Sequence, residues 1–361
     1  MKPQNRTQGA MPRRLLACSL LLWLACIQGF GLGNKEEPTK GTGDPAFQRS
    51  IAVFIPGVMS GSPIYEMLAQ GVKQAGAEKS TEERTVTVTV IEGGFNQAEW
   101  EGRITALAAS GNYDLIVSSN PSLPAIAASV ASKFPKQRFL LLDGKIEGNP
   151  QIYTLRYNQR EQAYMAGHIA ALVAGEGAPE GGPAVRIGLV AGQEYPAMNE
   201  VILPAYREGA RQVDPQATVD FRVVGNWFDA GKGAELAADM IRGGAKVILS
   251  IAGSANEGVV QAAAEAGAKA VWFDINGYAV RPGTVVGSAV VYQDKAAYEQ
   301  TLRFLEGTLP FGKAELLGVA EGYVDFIETD PHYRASVSAP IREKQGVLIG
   351  QIRSGALRLE E

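Results

Sequence analysis

Cysteine and histidine are nearly missing from this chain: its 361 residues hold 2 of each, at Cys18, Cys26, His168 and His332. That scarcity excludes a zinc site built from Cys and His and leaves no cysteine–imidazole pair for nucleophilic chemistry. Charge of one sign is missing too. Lys and Arg total 34 against 38 Asp and Glu, a formal charge of −4. With no basic stripe, nucleic acid is excluded as the main partner. No phosphate loop or dinucleotide fingerprint follows the first apolar run, where Pro56-Gly57-Val58-Met59-Ser60-Gly61 has neither spacing. A nucleophile elbow is also lacking. Ser118-Ser119-Asn120 has no glycine frame, and His168 sits among small residues of a helical stretch, as a packed residue would. An enzyme is therefore not expected.

Both cysteines fall in the apolar stretch 15–27, so everything beyond Cys26 is cysteine-free. Such a chain needs no disulfide and tolerates an oxidising compartment. Arg13 and Arg14 end a basic, acid-free segment, and the apolar stretch after them is shorter than a bilayer span, which is a signal-peptide pattern. Leu22-Trp23-Leu24-Ala25-Cys26 has the form of a bacterial lipobox, with Trp23 where Leu is usual. Leu15-Leu16-Ala17-Cys18 has the letters, but little apolar sequence precedes it. The reading is a signal peptide at 1–25, lipidation at Cys26 and a polar tether over 26–48; a plain secreted protein or an uncleaved anchor is the alternative.

What is present is a globular body with 46% hydrophobic residues. Short apolar runs recur at 51–55, 86–91, 115–118, 139–142, 152–157, 186–190, 219–224, 247–251, 270–273, 285–291 and 323–327. Helical patterns separate most of them, at 64–77, 99–109, 124–133, 161–174, 200–213, 231–243 and 256–266. Unbroken apolar strands alternating with amphipathic helices imply parallel sheets covered on both faces. The class is α/β, doubly wound, and long enough for two lobes. Breaks are expected near Tyr157, near Arg281-Pro282-Gly283 and near Phe311-Gly312. They place 49–156 with 284–312 in an N-terminal lobe, and 157–283 with 313–361 in a C-terminal lobe. Several crossings make a hinge, with ligand in the cleft at the strand ends.

Candidate ligand contacts sit just past those strand ends: Asn120, Asn226, Asn256 and Asp274. Each has a capping reading of its own, above all Asn256. Trp227 and Phe228, adjacent in a Gly/Asp loop, read as a stacking platform for a flat ring, with wedging between core elements as the alternative. Tyr65, Tyr157 and Tyr195 begin or end elements that face the expected cleft. No metal ligand and no catalytic residue is assigned.

Lys133-Phe134-Pro135 with residues 139–143, Asn158 to Gly167 (NQREQAYMAG), Asn226 to Gly233, Ala252 to Gly258 (AGSANEG) and Trp272 to Asp274 resemble the basic-membrane-protein family of substrate-binding lipoproteins, which includes purine nucleoside receptors. The resemblance covers the body from about Ile51 on. It implies a type I periplasmic binding protein: two lobes, three hinge strands and a ligand cleft. It also implies ABC permease and ATPase subunits as partners, a monomer, and a lipid anchor in the bacterial inner membrane facing the periplasm. By similarity, Asn226 to Phe228 fall at the ring-stacking position and Asp274 where sugar hydroxyls are held. Two positions depart from the nucleoside binders. The loop from Pro56 to Tyr65 lacks their acid and Phe, and Val291 stands near their Lys. A pocket that loses charge and gains Trp, Tyr and Met suits a larger, neutral, flat ligand, as in the riboflavin-binding members. Riboflavin is thus the expected cargo rather than a cofactor, a purine nucleoside the alternative, and a structural or adhesive surface lipoprotein the competing class.

Overall fold

The computed structural model describes residues 47–179 and 181–359; the leader, Cys26 and the tether up to residue 46 lie outside the described residues. In chain order come β1 (Phe47–Ile55), α1 (Pro63–Lys79), β2 (Arg84–Glu92), α2 (Trp100–Ser110), β3 (Leu115–Ser119), α3 (Leu123–Lys133), β4 (Arg138–Leu142) and β5 (Ile152–Tyr157). Next are α4 (Gln159–Ala174), β6 (Arg186–Ala191), α5 (Leu203–Val213), β7 (Thr218–Val223), α6 (Ala230–Arg242), β8 (Val247–Ile251), α7 (Asn256–Glu265), β9 (Lys269–Asp274) and β10 (Val285–Val291). Then follow α8 (Gln293–Leu305), β11 (Ala314–Leu317), β12 (Val324–Phe326), α9 (Pro331–Ser336) and α10 (Ala339–Arg353). Phe47 and Gln48, expected in the tether, already pair with β2.

The strands form two six-stranded sheets, ordered β11-β5-β4-β3-β1-β2 and β12-β10-β9-β8-β6-β7. The two orders match position by position, so the lobes repeat one plan. Pairing is parallel throughout the first sheet, and in the second it departs only where β12 runs antiparallel to β10. Every residue of β3, β8 and β10 is buried, which is why these strands read as unbroken apolar runs: both sheet faces carry helices.

The chain leaves the first sheet after Tyr157, where the Asn158 side chain caps α4 by accepting from the Glu161 N–H. The other two breaks differ from expectation. β10 pairs with β9 and β12, so residues 285–291 belong to the second lobe and the crossing comes at Tyr292. Helix α8 then packs on α1 of the first lobe, and β11 pairs with β5, so the last crossing comes after Leu317 rather than at Phe311-Gly312. The turn at Pro282-Gly283 is a loop inside the second lobe.

Helix α4 is buried on nearly every face. Gly167 and Gly209 let its backbone touch that of α5: a Cβ at Gly167 would lie 2.0 Å from the Tyr206 carbonyl oxygen, and one at Gly209 would lie 2.1 Å from that of Tyr164. His168 is buried in the same helix, with Nδ1 2.7 Å from Gln345 Oε1 of α10. Burial lowers its pKa below the usual 6.5, and it sits as a packed residue of the helix. Among the described residues no helix is long and apolar enough to cross a membrane.

Candidate functional site

The C-terminal ends of both sheets converge on a small set of tyrosines and two aspartates. Tyr65, on the first turn of α1, is half-buried and donates its hydroxyl to the Pro56 carbonyl at 3.2 Å. Burial, aided by the field of Asp143, pushes that hydroxyl up to about 12, against a hydrogen bond from Asn120. Tyr157 ends β5, is buried and donates to Gln293 Oε1 at 2.6 Å. Tyr195 follows β6 in the second lobe. The hydroxyls of Tyr157 and Tyr195 are raised chiefly by burial, and both feel the charges of Asp143 and Asp274. Asp143 follows β4 in one lobe and Asp274 ends β9 in the other, so the convergence spans the two lobes.

Asp274 is held by Gln162 of α4, whose Nε2 donates to its Oδ1 at 3.1 Å. Burial raises the Asp274 carboxyl from 3.8 to about 6 even so. A carboxylate in that position can accept from two neighbouring hydroxyls.

The adjacent aromatics divide their roles. Trp227 lies with its ring over Gly192, where a Cβ would come within 2.5 Å of Cε3, and it also closes on Gly253. Its ring centroid is 6.1 Å from that of Tyr195, tilted by 47°. Trp227 remains 39% exposed, a ring seated from behind with surface to offer, while Phe228 beside it is 67% exposed. Trp227 thus wedges against backbone and keeps part of its surface exposed.

The asparagines are committed to the fold. Asn226 Oδ1 accepts from the N–H groups of Phe228 and Asp229 at 3.0 and 2.8 Å, which shapes the loop carrying the aromatics. Asn256 Oδ1 accepts from Ser250 Oγ and from the Ala252 N–H, pinning the end of β8. Asn120 Oδ1 accepts from the Ser122 N–H at 2.9 Å. In each the side-chain oxygen is taken by the protein's own backbone or hydroxyl groups.

Sequence reasoning missed Asp143, Gln162 and Phe95. Phe95 is 76% exposed and follows β2 in Gly93-Gly94-Phe95-Asn96, the first-lobe counterpart of Gly225-Asn226-Trp227-Phe228 after β7. It and Tyr65 both border Gly57, and in the second lobe Trp227 lies over Gly192 and near Tyr195. Comparing the two loops was the signal available. A surface hollow of about 800 Å³, lined by Arg49, Tyr113, Lys133, Phe134 and Phe311, lies at the N-terminal ends of β1, β3 and β4, the far end of the strands from this convergence.

A family model described as "ABC transporter substrate-binding protein PnrA-like" matches residues 48–358. The chain is 25% identical over 279 residues to basic membrane protein D of Borreliella burgdorferi, covering 76% of this chain and 77% of that protein. It is 27% identical over 165 residues to the ABC transporter nucleoside-binding protein BmpA of Lactococcus lactis, covering 46% and 42% respectively. Among solved structures, an ABC transporter solute-binding protein from Aeropyrum pernix superposes with a TM-score of 0.74 at 22% identity, over 86% of this chain and 93% of that one. The last likeness carries the fold: two parallel-sheet lobes of the periplasmic-binding-protein kind.

Proposed function

The chain belongs to the PnrA-like family of ABC transporter substrate-binding proteins, and from that premise we propose that its interlobe cleft captures riboflavin for a membrane permease and its ATPase. A binding protein of this kind needs no catalytic group. The observation that carries the flavin reading is the glycine-seated Trp227 ring beside Tyr195, whose hydroxyl senses both aspartates. A ring held from behind is pre-organised to stack on a wide flat partner, and the Asp274 carboxylate suits the hydroxyls of a ribityl chain.

Asp274 serves a ribose equally well, and one relative is named for nucleoside binding; a purine nucleoside is the second reading. Protein purified from a bacterial host and then denatured separates them. Released flavin absorbance supports the first. A colourless protein that binds adenosine or inosine in calorimetry overturns it in favour of the second. Lipidation at Cys26, in an envelope membrane with the body outward, completes the proposal. Cys26→Ala should move the protein from the detergent phase to the aqueous phase, and unchanged partitioning would refute that anchor.

A further inference from the structure

Among the described residues each sheet has two edges, and three of these edges are blunted. β11 has 4 residues and carries Glu315, β12 has 3 and carries Asp325, and β7 sets Asp220 and Arg222 in its middle. Short edges and mid-strand charges are devices that keep other chains from pairing. β2 has neither. It is the outer strand of the first sheet, 9 residues long, and reads Arg-Thr-Val-Thr-Val-Thr-Val-Ile-Glu, with charge at its ends alone. Val, Thr and Ile favour strands, and the segment contains no Pro and no Gly.

The outward side of β2 follows from its hydrogen bonds. The Val86 N–H donates to Ser80 Oγ at 3.1 Å, and the Arg84 carbonyl accepts from the Thr81 N–H at 2.7 Å. Backbone groups alternate along a strand, so Val88 and Val90 also turn theirs away from β1. Gly93, in the opposite phase, donates to the Ile55 carbonyl at the end of β1 at 2.7 Å. Among the described residues nothing pairs with the outward backbone groups of Val88 and Val90.

The strand is also its own complement. Antiparallel pairing with a second β2 about Val88 sets Thr87 opposite Thr89, Val86 opposite Val90 and Arg84 opposite Glu92. The charges are held where this needs them. Arg84 stacks on Phe47 at 4.2 Å, and Glu92 Oε1 accepts from the Met59 N–H at 2.8 Å, yet both residues stay exposed. Opposite charges facing each other across a strand pair stabilise it, and in this register no like charges meet.

We propose that β2 is the surface through which two copies of this chain pair, edge to edge and antiparallel, as a two-fold dimer. The Val88 N–H and C=O of each copy bond those of the other. Each Val90 N–H bonds the partner's Val86 carbonyl, which leaves the Val86 N–H with Ser80. The family resemblance implies a monomer; the edge carries the opposite inference. Only the first lobes take part, so the pairing is independent of what the cleft binds. One strand pair is a small contact, and it belongs with weak, reversible associations.

Disulfide capture in intact cells tests it, because the chain beyond Cys26 has no cysteine. In this register Thr87 and Thr89 face each other at a Cα distance of about 4.5 Å, within disulfide reach. Like residues across the two-fold are diagonal neighbours at about 7–8 Å, beyond it. After oxidation, Thr87→Cys with Thr89→Cys should give a band at twice the parent mass, about fivefold stronger than either single variant. The parent alongside shows what Cys18 and Cys26 contribute. No such band, or single variants that cross-link as well as the double, would overturn the pairing. A product of another mass would overturn it in favour of a different protein on this edge. In detergent, sedimentation of the full chain should show a mass that rises with concentration. Thr87→Lys with Thr89→Lys sets lysine opposite lysine and should abolish the rise. A parent without the rise, or a rise that the lysines leave in place, overturns the dimer as well.

Discussion

At the scale of single residues, Gly192 is as much a part of the ring platform as Trp227. Its Cβ would fall 2.5 Å from the indole, so Gly192→Ala must tilt the ring off its seat without removing it. We expect Trp227→Ala to weaken flavin binding by roughly tenfold to a hundredfold, and Gly192→Ala to weaken it in the same direction by a smaller factor. Fluorescence titration measures both, and parent-like binding by both variants at equal thermal stability would move the platform elsewhere. Asp274 has an opposite effect on stability. Its folded pKa, about 6, lies above the usual 3.8. Protonation therefore favours the fold, and the contribution is fully present below about pH 4 and lost as the pH rises through 6. Asp274→Asn should be more stable than the parent at pH 8, by up to about 3 kcal/mol, and level with it near pH 4. Thermal melts at the two pH values decide the matter, and a variant that melts lower at pH 8 contradicts it.

At the scale of elements, the contact of α4 with α5 depends on two glycines facing each other's backbone. Gly167→Ala places a methyl 2.0 Å from a carbonyl oxygen, and backbone cannot step aside as a side chain tip can. The helices must separate, at a cost of roughly 1–3 kcal/mol or more, visible as an earlier urea midpoint; an unchanged midpoint would show the crossing to be looser. The sequence NQREQAYMAG thus carries two messages in one helix. Its first turn holds carboxylates and its middle packs. Strands were legible because burial on both faces leaves continuous apolar runs, yet Val-Val-Gly-Ser-Ala-Val-Val of β10 reads the same whichever sheet it joins. Hence the second crossing was misplaced. β11 escaped notice because a half-exposed edge strand, Ala-Glu-Leu-Leu, has neither run nor alternation. Of the site, polar residues after strands were visible locally, Asp274 among them. Gln162 was not, because its role depends on a partner 112 residues away.

At the scale of the whole molecule, three crossings at Tyr157-Asn158, Tyr292 and residues 318–323 join lobes that share one plan. Binding across them should close the cleft. Small-angle scattering should record a smaller radius of gyration on adding riboflavin or, for the second reading, adenosine; an unchanged radius with binding established would argue for a rigid pair of lobes. The interleaving has a further consequence for how the molecule is made. The first sheet lacks its outer strand until Ala314–Leu317 emerges, and the second lacks its own until Val324–Phe326. Neither lobe is a finished unit while synthesis is under way, whichever half is older. A chain built so remains open to passage through a narrow pore until these late strands emerge, and the outer strands of both sheets then arrive within about ten residues of each other. The two lobes should accordingly appear and disappear together, as one transition rather than two.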